Sequence, residues 1–258
     1  MSKIALLGDI HGDFDALFDK AIEAESNGAG ALIQVGDFGY YPDSPRSYMR
    51  LRESWNESHK YFKNPNFPIY YIDGNHDPCT YYKNYYRDVS DLQASMRVLE
   101  NVQHLRRGST VNILGYRVCA LGGAASIDVA GIIEDRVRSG VSREQAEKDI
   151  DSNWWSKDEN ISPEEAGRAI AGGQCDLFVT HAPTLSMCHN NFPVTGKLLF
   201  GVGLDWEDPN MSLIETVWEA KGRPPHVCGH MHRNIRDEHS VILDIKQLMY
   251  FENGEFHR

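Results

Sequence analysis

Short apolar runs alternate with longer amphipathic stretches along the first third of the chain. Each run stops at a glycine or at Asp-Gly, which is typical of buried strands, and the stretches between runs carry apolar residues at helical spacing. These patterns predict, in order, strand 3–7, a helix from Phe14 to Ile22, strand 31–35, helix 44–61 and strand 69–72. The alternation implies parallel strands joined by crossover helices, and therefore an α/β fold.

The rest of the chain continues with shorter elements. Apolar runs at 111–113 and 116–121 flank Leu114-Gly115, which predicts a hairpin, and residues 142–171 are rich in helix-forming Glu, Gln, Lys and Ala. Further elements are predicted as strand 177–180, helix 212–220 and strands 226–228, 241–245 and 249–252. We therefore expect one domain over 1–258 with two sheets and outer helices, carrying a largely helical insert at about 126–173.

Composition and charge narrow the class of protein. Hydrophobic content of 41% and charged content of 24% are ordinary for a globular protein, and no apolar run approaches the roughly 20 residues of a membrane helix. The N-terminus lacks a signal-peptide pattern and the five cysteines are scattered, so we expect a cytoplasmic protein with reduced thiols. The net charge of −11 argues against a long nucleic-acid duplex as partner, because surfaces that bind one are basic. Nucleotides and small phosphate esters stay open as partners, and no pattern indicates an oligomeric state.

Five short segments, each directly after a predicted strand, carry side chains that bind metals. They are Gly8-Asp9-Ile10-His11-Gly12, Gly36-Asp37-Phe38-Gly39, Gly74-Asn75-His76-Asp77, Thr180-His181-Ala182-Pro183 and Gly229-His230-Met231-His232. In α/β sheets ligands bind beyond the carboxyl ends of the strands, and a glycine there lets the chain turn sharply. Asp9 and His11, like His230 and His232, stand two residues apart, so extended backbone points both side chains of a pair to one side. Carboxylate, imidazole and amide oxygen together suit Mn, Fe or Zn.

In their order and spacing these segments resemble the signature of the calcineurin-like metallophosphoesterases, which runs GDxHG, GDx, GNHD, a lone His and GHxH. The resemblance covers almost the whole chain and implies an α/β sandwich of two mixed sheets flanked by helices. It also implies two divalent cations, of which we favour Mn²⁺, with Fe or Zn as alternatives. By position, the first cation would be bound by Asp9, His11, Asp37 and His232, and the second by Asp37, Asn75, His181 and His230.

The resemblance further implies an enzyme that hydrolyses phosphate esters. Two cations roughly 3.5–4 Å apart can clamp a phosphate together with a bridging water whose pKa they lower. His76 matches the catalytic histidine of the family, and we expect it to donate a proton or a hydrogen bond to the leaving oxygen. Asp77 is expected to support the turn.

The second segment departs from the GDxxDRG pattern of the phosphoprotein phosphatases. Tyr40 stands in place of the second aspartate and Tyr41 in place of the arginine, which argues against protein phosphatase activity and leaves the acidic partner of His76 unidentified. The tyrosines could stack on a nucleobase or an aryl leaving group, or could pack within the loop, and both interpretations stay open. Arg233 could reach a substrate phosphate, although a surface role is favoured.

The run Gly122-Gly123-Ala124-Ala125-Ser126-Ile127-Asp128, with Trp154-Trp155 further on, resembles a subgroup of bacterial and phage members of the family. We expect the tryptophans to pack the insert against the core. The leading function is hydrolysis of phosphodiesters, and of monoesters as well, in small or nucleotide substrates. Two functions compete with it: a nuclease, which needs a basic surface, and a non-catalytic metal-binding scaffold, which the full ligand set disfavours.

Overall fold

The computed structural model describes residues 2–91, 95–151 and 155–258, which form two mixed sheets flanked by helices. The strands are β1 (Lys3–Leu7), β2 (Ala29–Gln34), β3 (Ile69–Tyr71), β4 (Ser95–Arg97), β5 (Val102–Leu105), β6 (Ser109–Ile113), β7 (Tyr116–Leu121), β8 (Leu177–Thr180), β9 (His226–Cys228), β10 (Ile235–Arg236), β11 (Ser240–Ile242), β12 (Leu248–Glu252) and β13 (Glu255–His257). The helices are α1 (Phe14–Ser26), α2 (Pro45–Ser58), α3 (Cys79–Tyr85), α4 (Ile127–Arg138), α5 (Arg143–Asp151), α6 (Pro163–Ala171), α7 (Leu185–Asn191) and α8 (Pro209–Ala220), and short 3-10 turns cover His59–Tyr61, Lys157–Glu159 and Val194–Phe200. Within these ranges no helix combines the length and apolar character that crossing a membrane requires.

Each sheet has a parallel centre with antiparallel strands at its edges. The first sheet runs β13-β12-β1-β2-β3-β5-β4, in which β1, β2, β3 and β5 are parallel. The second runs β10-β11-β9-β8-β7-β6, in which β11, β9, β8 and β7 are parallel. The predicted α/β fold with two mixed sheets is therefore confirmed.

The core follows from the alternation of side chains along buried strands. In β1, Ile4 and Leu6 belong to a cluster shared with the second sheet, whereas Ala5 and Leu7 belong to the cluster under α1 and α2. A third cluster joins the outer face of the second sheet to α6 and α8. The layers are thus helices, sheet, sheet and helices, and both faces of β1 are apolar because both are covered.

The helix boundaries follow local capping. The side chain of Asp13 accepts a hydrogen bond from the Ala16 amide at the start of α1, and Ser44 caps α2 in the same way through Ser47. The predicted helix 44–61 is divided into α2 and the 3-10 turn His59–Tyr61.

The segment 142–171, which is rich in helix-forming residues, holds two separate helices. It contains α5, the 3-10 turn Lys157–Glu159 and α6, because Ser162 and Glu165 form a capping box that begins a new helix. The preceding α4 packs on α5 through an apolar cluster that also contacts Trp155. Trp154 lies outside the described residues.

Candidate metal centre

The loops after β1, β2 and β3 of one sheet and after β8 and β9 of the other meet at one site. Four of the predicted ligands there have left-handed backbone: His11 (φ 47°), Asp37 (φ 54°), His230 (φ 64°) and His232 (φ 46°). This conformation costs roughly 1–2 kcal/mol per non-glycine residue, so it persists only where the surrounding structure imposes it. These left-handed residues turn the backbone sharply as it leaves each strand, and the turns bring the ligand side chains together.

One group of ligand atoms comes from Asp9, His11, Asp37 and His232, whose candidate ligand atoms all lie within 4.8 Å of one another. The Nε2 atoms of His11 and His232 are 3.2 Å apart, and His232 Nε2 lies 3.1 Å from Asp9 Oδ2. His11 Nδ1 is 3.8 Å from Asp37 Oδ2. These distances place two carboxylates and two imidazoles around one small volume.

A second group surrounds the other oxygen of Asp37. His181 Nε2 lies 3.3 Å from Asp37 Oδ1 and 3.2 Å from Asn75 Oδ1. The ring of His181 is oriented by its Nδ1 atom, which lies 2.9 Å from the carbonyl oxygen of Val35 and donates to it. The ring of His230 packs edge-on against His181, with centroids 5.1 Å apart. Asp37 is therefore shared by both groups.

The environment of Asp37 fits a cation. Its side chain is 1% exposed, Oδ1 accepts from the His76 amide at 2.9 Å, and the buried Oδ2 has no hydrogen-bond partner among the described residues. Burial raises the pKa of Asp37, but the charge and hydrogen bond of His181 lower it well below its ordinary value. A buried, ionised carboxylate with an open oxygen is satisfied by a cation, and the oxygen and nitrogen donors around it suit a divalent metal.

The histidines of the second group differ in protonation. Burial lowers the pKa of His181, yet the Asp37 carboxylate beside it raises the value to about 10. Burial lowers the pKa of His230 to about 3, so this ring is neutral near pH 7. Metal binding needs neutral imidazole, so a cation at this position would displace the proton of His181.

Close contact between loops keeps the carboxylates in place. Asp77 accepts backbone hydrogen bonds from Phe38 (3.0 Å), Gly39 (2.7 Å) and Gly74 (2.8 Å), which ties the loop after β3 to the loop after β2. This agrees with the supporting role expected for Asp77. Gly74 has no space for a side chain, because a Cβ atom would collide with Asp37 Oδ1.

The remaining predicted residues divide between the site and the core. His76 is exposed, and its ring lies edge-on to that of His11 with centroids 5.5 Å apart. Tyr41 donates from its hydroxyl to the His76 carbonyl at 2.8 Å and lines the same cavity as His76. Tyr40, by contrast, is 6% exposed and packs in the core under α1 and α2. Arg233 is exposed and is not among the residues that line this cavity.

Two sets of residues near the site were missed from the sequence. Arg46 and Arg50 of α2 line the cavity beside His76, and their spacing of four residues was the available signal. Ser126 accepts from the Asn75 amide nitrogen at 3.0 Å and donates to Glu159 Oε2 at 2.6 Å. The GGAAS run pointed to Ser126, whereas no local pattern marked Glu159.

The chain matches one protein family over most of its length. The family model of the calcineurin-like phosphoesterases matches residues 2–234. Among solved structures, TT1561 of Thermus thermophilus is similar over 95% of this chain and 89% of its own, at 12% identity and a TM-score of 0.46. Another solved structure is similar over 98% of this chain and 96% of its own, at 9% identity and a TM-score of 0.48. No curated protein matches the chain. Because the family model spans nearly all of it, the chain belongs to the calcineurin-like phosphoesterases, a family of metal-dependent hydrolases.

Proposed function

We propose that the protein hydrolyses phosphodiester bonds, and phosphomonoesters as well, in small or nucleotide substrates, with two divalent cations at the centre. The observation that carries this proposal is the position of Asp37 between two groups of donors, with one buried oxygen open. A single cation would use one of these groups and leave the other without a role. The net charge of −11 favours a small substrate over a long duplex.

The ligands divide between the two cations according to these two groups of donors. Asp9, His11, Asp37 and His232 would hold one cation, and Asp37, Asn75, His181 and His230 the other. When bound, the cations would withdraw charge from the substrate phosphate and lower the pKa of a water between them. We favour Mn²⁺, with Fe or Zn as alternatives, because the donors are oxygen and nitrogen without thiolate.

The chain itself would supply the proton for the leaving group. The ring of His76 borders both the ligand His11 and the open cavity, so it can reach an oxygen that departs from the bound phosphate. The backbone amide of His76 is held by Asp37 and its carbonyl by Tyr41, at 2.9 and 2.8 Å. These two bonds limit the movement of the loop that carries the ring.

The test compares hydrolysis of bis-nitrophenyl phosphate and nitrophenyl phosphate with added manganese and with a chelator. His76→Ala should lose about 10²–10⁴-fold in rate while keeping its bound metal, since the ring acts on the leaving group. Asp37→Asn should lose both metal and turnover. His189→Ala is the matched control, because His189 is an exposed histidine paired with Glu207 at 2.9 Å, and it should keep full activity.

The outcomes separate the possible functions. Chelator-sensitive turnover that follows this order of variants supports the proposed enzyme, and the two substrates rank diester against monoester. Manganese bound without turnover of either ester, in protein whose His76→Ala variant behaves identically, would instead favour the metal-binding scaffold.

A further inference from the structure

A cavity of about 460 Å³ opens beside the rings of His11 and His76. It is also lined by Ser44, the N-cap of α2, and by Arg46 and Arg50 of that helix. The described residues that line it include both of these arginines and no carboxylate, in a chain whose net charge is −11. The cavity is therefore positively charged although the protein as a whole is acidic.

The two arginines have different surroundings. Arg50 donates from Nη2 to the Gly12 carbonyl at 3.0 Å and lies over the ring of Phe14, so its position is constrained. Arg46 is exposed and makes no ion pair within the described part of the chain. Arg52, on the same helix, donates instead to both oxygens of Glu100 at 2.8 and 2.7 Å. Arg46 thus presents an uncompensated guanidinium to the cavity, and Arg52 does not.

A second cavity, of about 760 Å³, shares Tyr41 with the first and has a largely acidic lining. Its lining includes four acidic side chains, one lysine and three further aromatic side chains. These are Asp43, Asp77, Asp158 and Glu159, then Lys157, and Tyr81, Tyr85 and Trp155. An anionic group would be repelled there, whereas an aromatic or uncharged group would fit. Because the two cavities differ in charge and both include Tyr41, they favour one orientation of a substrate that has an anionic end and an uncharged end.

We propose that the cavity between His76 and α2 is an anion subsite, in which Arg46 and Arg50 bind a second phosphate carried by the substrate. The proposal rests on the proposed function and names the substrate class: a phosphate ester with another phosphate within a few bonds. Guanidinium forms paired hydrogen bonds with phosphate oxygens, which gives geometric selectivity as well as charge attraction. The uncharged part of the substrate lies toward the aromatic cavity.

The experiment uses two nitrophenyl phosphodiesters, one whose second ester arm ends in a phosphonate and a matched one that ends in a methyl group. The manganese-loaded protein should have a kcat/KM about tenfold higher for the phosphonate ester. In Arg46→Gln the two esters should have about equal kcat/KM values, mainly because the KM of the phosphonate ester rises. The control Arg52→Gln removes a guanidinium of the same helix and should retain the preference.

Equal kcat/KM values for the two esters in the unmodified protein would overturn the subsite. An equal loss of kcat/KM for both esters in Arg46→Gln would also overturn it. Failure to hydrolyse either ester counts against the proposed function instead, and binding then decides the subsite. In that case calorimetry compares methylenediphosphonate with methylphosphonate on the manganese-loaded protein. The subsite is supported if the unmodified protein binds the diphosphonate more tightly than methylphosphonate and Arg46→Gln abolishes this difference. It is refuted if the unmodified protein and Arg46→Gln bind the diphosphonate equally.

Discussion

Replacing Ser126 by alanine would release the proposed ligand Asn75 from its support. The hydroxyl of Ser126 accepts from Asn75 Nδ2 at 3.0 Å and donates to Glu159 Oε2 at 2.6 Å. The amide nitrogen of Asn75 is thereby directed away from the centre, and its oxygen lies 3.2 Å from His181 Nε2. Without the hydroxyl, the amide of Asn75 can rotate and present nitrogen, which cannot bind a cation.

The size of the effect follows from the contacts that are lost. The variant leaves Glu159 Oε2, in a side chain that is 3% exposed, and the half-buried Asn75 Nδ2 without this partner, and a buried group left so costs about 1–3 kcal/mol in the free energy of unfolding. Burial raises the pKa of Glu159 to about 7, and its protonation limits this cost. Removing a group that orients a metal ligand typically lowers metal affinity about 10–100-fold. Only the cation held by Asn75 should be affected to this extent.

Calorimetric titration with manganese measures this directly. We expect two binding steps in the unmodified protein, and in Ser126→Ala one step weakened about 10–100-fold and the other changed by less than about threefold. Ser212→Ala is the control, because Ser212 is an exposed serine whose hydroxyl donates to the Pro209 carbonyl of its own helix. Unchanged manganese affinity in Ser126→Ala would refute the link from Glu159 to Asn75.

Two further predictions concern stability. Gly74→Ala forces a Cβ atom against Asp37 Oδ1, so we expect a loss of about 2 kcal/mol or more in urea unfolding, together with weaker manganese binding. Its control, Gly167→Ala, replaces a helical glycine with open space around it and should stabilise by about 0.5–1 kcal/mol. Burial lowers the pKa of His226 to about 3, so the unfolded chain binds a proton below about pH 6.5 that the folded protein excludes. His226 therefore contributes a loss of about 2 kcal/mol in the free energy of unfolding as pH falls from 7 to 5, and in metal-free protein the difference between the unmodified protein and His226→Gln should change by that amount over this range.

The strands that carry the ligands were predictable because their signals are local. A buried apolar run marks a strand wherever the rest of the chain lies, and β1, β2, β3, β8 and β9 were all predicted from such runs, with a glycine soon after each of them except β8. The short strands β4 and β5 and helix α3 were missed, since β5 pairs with the distant β3, β4 is added at the edge of the sheet by pairing with β5, and α3 packs on the 3-10 turn Lys157–Glu159. Over 142–171 the helix-forming residues predicted helical structure but not where it divides, and α6 begins at its own capping box of Ser162 and Glu165.

Residues that are adjacent in sequence can lie in different environments of the structure. Tyr40 packs in the core and Tyr41 lines the cavity, although the sequence offered the same interpretation for both. Arg46, Ser126 and Glu159 reach the site from α2 and from the segment after β7, by paths that only the packing of helices on the two sheets defines.

The order of glycines, carboxylates and histidines along the chain was sufficient to predict the family, the α/β fold and a list of candidate ligands, because each motif requires only its own strand and turn. The distances around Asp37, the support of Asn75 and the positive cavity beside His76 were decided by tertiary structure. Each of them is a relation between side chains that are far apart in sequence, and such distances arise only when the two sheets and their helices pack together.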